Sequence, residues 1–195
     1  MSFKKMSFLA LFVSASLTFS ERAARASFTF SIVQSGNNVD VTGEGTLNLA
    51  AFSQGLTNTD SDRVQPDFNM LVVGPIHNVP VEEYGTFSGP TNFGPGGYYV
   101  PNSGAGDLVG VIGRGFEVPQ GYVSGTMLSD SELYFGVTLS YLGMTPGTYV
   151  YTWGSGPTAD SLTINIGTVP EPASFSLIAA PIAIAALRRR RRHLV

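Results

Sequence analysis

Three aspartates, Asp60, Asp62 and Asp67, lie with Asn58 in one polar stretch, NTDSDRVQPD. Oxygen-rich loops of this composition hold hard divalent cations, so calcium is the one cofactor the sequence nominates. The spacing lacks the glycine and the terminal glutamate of an EF-hand loop, and a solvated acidic loop is the ordinary state of such a stretch. His77 is the only histidine between residues 27 and 168, and one imidazole beside Glu82 and Glu83 is not a zinc site of the usual kind. Hydrolysis of a glycan needs two carboxyls facing each other across a cleft. Glu117 and Glu132 are candidates only in being acids close to strand patterns. Gly121-Tyr122-Val123-Ser124-Gly125 is not a G-x-S-x-G elbow, and Gly94, Gly96 and Gly97 precede neither a helix nor a GKS or GKT. The chain has no cysteine, which removes thiol nucleophiles, disulfides and Cys-type metal sites. Tyr149, Tyr151 and Trp153 share one face of an alternating strand. Facing out, they would stack on sugar rings; facing in, they would be core. The Thr148, Val150, Thr152 face opposite them favours core. With no catalytic constellation, the expectation is a protein that is not an enzyme.

The elements that must carry these residues read as β throughout. Ser27 to Val33 alternates Phe28, Phe30 and Ile32 against polar neighbours, Val39–Val41 and Gly45–Leu49 continue the pattern, and residues 69–73 form a short apolar run. Residues 74–107 are rich in Gly and Pro, with Phe87, Phe93, Tyr98 and Tyr99 placed to pin a loop onto a sheet. Residues 108–112, 116–118 and 122–124 are short strand candidates, and 133–142 is the longest β run. Residues 148–153 and 161–166 read as the arms of a hairpin. Roughly ten short strands with frequent turns predict an all-β fold, an antiparallel β-sandwich or jelly roll, with a barrel as the runner-up.

Charge is distributed unevenly. Residues 27–168 contain twelve acids and two bases, Arg63 and Arg114, a formal charge of −10 with no lysine. Such a surface repels nucleic acid, so nucleic-acid binding is excluded. The remaining nine basic residues sit in the two ends of the chain.

Those ends read as addresses. Residues 1–26 pattern as a secretory signal peptide: Lys4 and Lys5, an uncharged stretch from Met6 to Phe19, and Ala24-Arg25-Ala26 as the signal-peptidase site, with cleavage after Ala26. Residues 169–195 begin with Pro170-Glu171-Pro172, continue in a charge-free apolar run over 173–187, and then carry Arg188, Arg189, Arg190, Arg191 and Arg192. A helix of 15 residues spans ~22 Å, short of a ~30 Å hydrocarbon core, and arginine stems can make up part of the gap. Clustered arginines stay cytoplasmic, which orients the body to the outside. Residues 27–168 are then one acidic β domain between two signals.

Taken together, the Pro-Glu-Pro tripeptide, the apolar run and the arginine cluster resemble a PEP-CTERM sorting signal, over residues 168–192. The resemblance implies a substrate of exosortase, a membrane-embedded protease of Gram-negative-type bacteria, with the tail recognised near Pro170–Pro172 and removed. It further implies passage through signal peptidase and transient anchoring in the inner membrane. The endpoint is the cell surface, outer envelope or extracellular matrix, in association with exopolysaccharide. Bodies attached to such tails are unrelated to one another, so the resemblance brings no site residues to 27–168. The expected role is non-catalytic and structural; the alternative is a calcium-dependent carbohydrate-binding module or weak glycan hydrolase.

Overall fold

The computed structural model describes residues 27–53 and 55–167. The signal-peptide and sorting-signal readings, on residues 1–26 and 169–195, lie outside the described residues. Within them the chain is all-β. In order the strands are β1 (Ser27–Ser35), β2 (Asn38–Gly45), β3 (Leu56–Asp60), β4 (Arg63–Gln65), β5 (Met70–Val73) and β6 (Val79–Gly85), then β7 (Ser103–Gly106), β8 (Val109–Ile112), β9 (Gly115–Pro119), β10 (Leu128–Tyr134), β11 (Gly147–Trp153) and β12 (Asp160–Ile166). Single 3-10 turns at Pro66–Phe68 and Gly156–Thr158 interrupt them.

The first sheet runs β11-β12-β1-β2-β10-β7. Its neighbours are antiparallel except β1 and β12, which run parallel in the centre with Phe28 opposite Leu162 and Phe30 opposite Ile164. Period-two alternation sends Phe28, Phe30, Ile32, Val41, Leu162 and Ile164 to one side, all fully buried. The other side carries Thr29, Ser31, Thr42, Ser129, Ser131 and Thr163, half-buried or exposed. The hairpin expected from residues 148–153 and 161–166 is present as β11–β12.

The second sheet runs β3-β6-β9-β8-β5-β4, all antiparallel. Its two edges, β3 and β4, are joined by only Ser61 and Asp62. Spread flat, six strands would separate the edges by ~24 Å, whereas three Cα steps reach ~11 Å. The sheet therefore curls enough to bring the Asp60 end of β3 to the Arg63 end of β4, although no ladder pairs the two edges. Its convex face supplies Val64, Leu71, Val73, Val109, Val111, Phe116 and Val118 to the core shared with the first sheet. Its concave side encloses a separate apolar group of Val72, Val81 and Leu108.

Three strand expectations fail, for identifiable reasons. β2 stops at Gly45, and residues 46–49 continue as irregular chain although Leu47 and Leu49 stay buried. Residues 122–124 form a turn, in which the Tyr122 hydroxyl donates to the Thr126 carbonyl at 2.8 Å. The run over 133–142 is displaced: the strand is Leu128–Tyr134, and residues 136–142 turn under Gln34 and Asn38, whose side-chain carbonyls accept from the Leu139 and Gly136 amides. Asp130 and Glu132 occupy inward positions on that strand, so a search for alternating apolar residues passes over it.

Candidate functional site: a carboxyl seam between the sheets

Strand β10 alternates buried Leu128, Asp130, Glu132 and Tyr134 with outward Ser129, Ser131 and Leu133. Two acids therefore enter the sandwich interior, and glycines on the flanking strands make room for them. Asp130 is opposite Gly43 on β2 and Gly106 on β7; Glu132 is opposite Val41 and Gly104. A Cβ at Gly43 would strike the Asp130 carboxylate and come within 2.8 Å of the Phe28 and Phe30 rings. At Gly104 it would strike Asp62 Oδ2 and the Gly74 carbonyl. Asp62 comes from the two-residue link between β3 and β4 and thus joins the curled sheet to this seam.

Asp62, Asp130 and Glu132 are each 4% exposed, and Tyr134 is 2% exposed. Asp62 Oδ2, both carboxylate oxygens of Asp130 and of Glu132, and the Tyr134 hydroxyl have no hydrogen-bond partner. Burial penalises the charged forms. It is the first cause in raising Asp62 to about 6 and Asp130 to about 9, with Asp107 adding to the latter. Glu132 is pushed well above the carboxylate range by burial, against the lowering effect of the nearby Tyr134 hydroxyl, with Asp62 and Asp130 adding to the rise; the Tyr134–Glu132 approach falls short of hydrogen-bond geometry. Tyr134 is likewise pushed up by burial and by neighbouring Glu132.

The sequence candidates distribute as follows. Asp60, Asp62 and Asp67 do not converge: Asp60 is ion-paired with Arg63, Asp62 enters the seam, and Asp67 is exposed on the Pro66–Phe68 turn. Asp60 ends β3, Asp62 lies in the link to β4 and Asp67 sits on the turn beyond β4, so three different elements carry the string and it does not become a compact site. Among the described residues no three His, Cys, Asp or Glu side chains group as a metal site. His77 is exposed.

Glu117 and Glu132 are both buried but do not face each other. On β9, Phe116 and Val118 point into the shared core, so Glu117 points to the concave side of the second sheet. There it is fully buried, with both oxygens unpartnered, and raised to about 8 by burial first and then by Asp60, against the lowering effect of Arg63. One sheet stands between it and Glu132, which removes the two-carboxylate geometry of a glycosidase for this pair.

Two of the three aromatics in the row, Tyr151 and Trp153, are core, and Tyr149 is half-buried against it with its hydroxyl donating to the Thr145 carbonyl at 2.9 Å. Tyr151 is fully buried and donates to Asn69 Oδ1 at 2.6 Å; Trp153 stacks on Phe116 at 4.8 Å and donates to the Asn48 carbonyl at 2.9 Å. Ser124 accepts from the Leu49 amide at 2.8 Å, a structural bond.

No family model, curated protein or solved structure matches the chain. The seam therefore stands on its own geometry. Sequence reasoning singled out Asp62 and Glu132 but missed Asp130, Tyr134, Gly43 and Gly104. The available signal was the period of LSDSELY: Leu128 and Tyr134 mark the inward positions, and counting by two between them lands on both acids.

Proposed function

We propose that this chain is an exported protein of the cell surface or extracellular matrix of a Gram-negative-type bacterium, sorted and processed through exosortase, with a non-catalytic role in the envelope or exopolysaccharide. The observation that carries the reading is the tail, Pro170-Glu171-Pro172 followed by the apolar run 173–187 and Arg188–Arg192. On this reading residues 1–26 are removed after Ala26, the run over 173–187 is a transient helical anchor with its C-terminus cytoplasmic, and the acidic body is released outward. Two features of the body accord with a matrix role. Its charge of −10 favours solubility outside the cell. Its outward β2–β10–β7 face forms a concavity of about 550 Å³ lined by Thr42, Glu44, Ser129 and Ser131, hydrogen-bonding groups suited to a glycan chain.

The test is expression of the full chain in an exosortase-bearing host, with the mass of the surface and medium forms measured. The expected product lacks both ends, and replacing Pro170, Glu171 and Pro172 by alanine should leave a longer, membrane-retained form. An unchanged product from the triple variant, or from a host without exosortase, would sink the proposal.

A further inference from the structure

Four buried oxygens of the seam have no hydrogen-bond partner: both carboxylate oxygens of Glu132, Asp62 Oδ2 and the Tyr134 hydroxyl. Glu132 and Tyr134 are two residues apart on the inward face of β10. Asp62 and the Gly74 carbonyl reach the same level against Gly104, the β7 residue opposite Glu132. Buried like charges need compensation from a counter-charge or from protons.

The chain has little to offer. Residues 27–168 contain two arginines and one histidine; Arg63 is held by Asp60, Arg114 is exposed, and His77, exposed as well, acts on Asp62 only as the last of the influences on that acid. Full compensation of two buried carboxylates must therefore come from protons or from an ion supplied from outside the chain. Protons are the competing counter-charge: each protonated acid would keep a carbonyl acceptor beside its new donor, and the experiment below separates the two accounts. A dication balances two carboxylates and uses all four oxygens as they stand. The donor set is entirely oxygen, carboxylate with hydroxyl and carbonyl, which selects a hard cation over zinc or copper.

We propose that Asp62, Glu132, Tyr134 and the Gly74 carbonyl bind a hard divalent cation, calcium in preference to magnesium, that ties the β3–β4 link to β10 across the sandwich. The irregular mix of ligands suits calcium, because magnesium demands near-octahedral geometry and gives up water reluctantly. Of the acidic string Asp60, Asp62 and Asp67, only Asp62 belongs to this site.

The experiment uses the purified full chain, stripped with chelator, and reads melting temperature with calcium, magnesium or chelator. Calcium at a hundred times its dissociation constant should raise the melting temperature by about 5–10 °C, with magnesium giving less. Glu132→Gln and Asp62→Asn should each lose the calcium response, and Asp67→Asn should keep it. Equilibrium dialysis with radioactive calcium should count one ion per wild-type chain, which keeps the test decisive if one variant fails to fold. Absence of a calcium shift in the wild type, its survival in Glu132→Gln, or its loss in Asp67→Asn would each overturn the site. So would a chelated Glu117→Gln protein, free of the titration outside the seam, that gains stability on acidification to pH 5 while ignoring calcium, because protons would then be the counter-charge.

Discussion

The two flanks of the first sheet build the same interior from different chemistry. Toward β11, Tyr151 and Trp153 meet Phe52, Phe87 and Phe116 from across the sandwich, with ring centroids 4.8–6.2 Å apart in the contacts of Trp153 and 5.0 Å apart for Phe87 and Tyr151. Every polar tip on that flank is satisfied: Tyr151 by Asn69, Trp153 by Asn48, and the Asp160 carboxylate by the Asn48 and Ser161 amides. Toward β7, the same alternation on β10 delivers Asp130, Glu132 and Tyr134 with no partners. Both outer pairs, β11–β12 and β10–β7, are antiparallel and alternate in the same way, and they differ in the side chains they turn inward. A rule-abiding flank supplies stability; the flank that leaves polar groups open is where a ligand or a proton has something to do.

The contrast can be broken from the aromatic side first. Trp153→Ala removes a buried ring and its hydrogen bond, and should cost ~3–5 kcal/mol in urea unfolding, the largest single effect expected. The acid side has a pH signature, read most cleanly at Glu117, away from the seam. Its folded value of about 8 exceeds its ordinary 4.5, so its contribution to stability is complete below pH 4.5 and is lost as pH rises through 8. Wild-type unfolding free energy should therefore fall between pH 5 and 8, and Glu117→Gln should flatten that slope by up to about 1.4 kcal/mol per pH unit. An equal slope in both proteins would show that Glu117 titrates normally. Gly104→Ala forces a methyl onto the Gly74 carbonyl and Asp62 and should cost ~1–3 kcal/mol by chemical denaturation. The sharpest pair is the smallest. Tyr151→Phe should cost ~1 kcal/mol because Asn69 loses its donor, whereas Tyr134→Phe in chelator should be neutral or slightly stabilising.

What could be read from the sequence follows the same divide. Phe28, Phe30 and Ile32, the β11–β12 hairpin and the inward set of Tyr151 and Trp153 were legible because apolar residues repeated every second position. Strand β10 was not, because its inward places hold Asp130 and Glu132, which any polarity count assigns to solvent. The curl of the second sheet was equally hidden: Asp60, Ser61, Asp62 and Arg63 look like one polar loop, and only long-range pairing of β3 with β6 and β4 with β5 shows them to be the link between its two edges. Residues such as Gly43 and Gly104 acquire meaning only once the strand opposite them is known.

The parallel pairing of β1 with β12 has a mechanical consequence. The first and last strands lie side by side at the centre of the first sheet, in register from Ser27 with Ser161 to Ile32 with Ile166. Because they run the same way, Ser27 and Gly167 emerge at opposite ends of the pair. Tension applied between those two points slides the strands past each other and loads the whole ladder at once. A hairpin such as β11–β12, pulled at its open end, would instead unzip one bond at a time. A body held at one terminus and dragged at the other would thus meet the load with its strongest geometry.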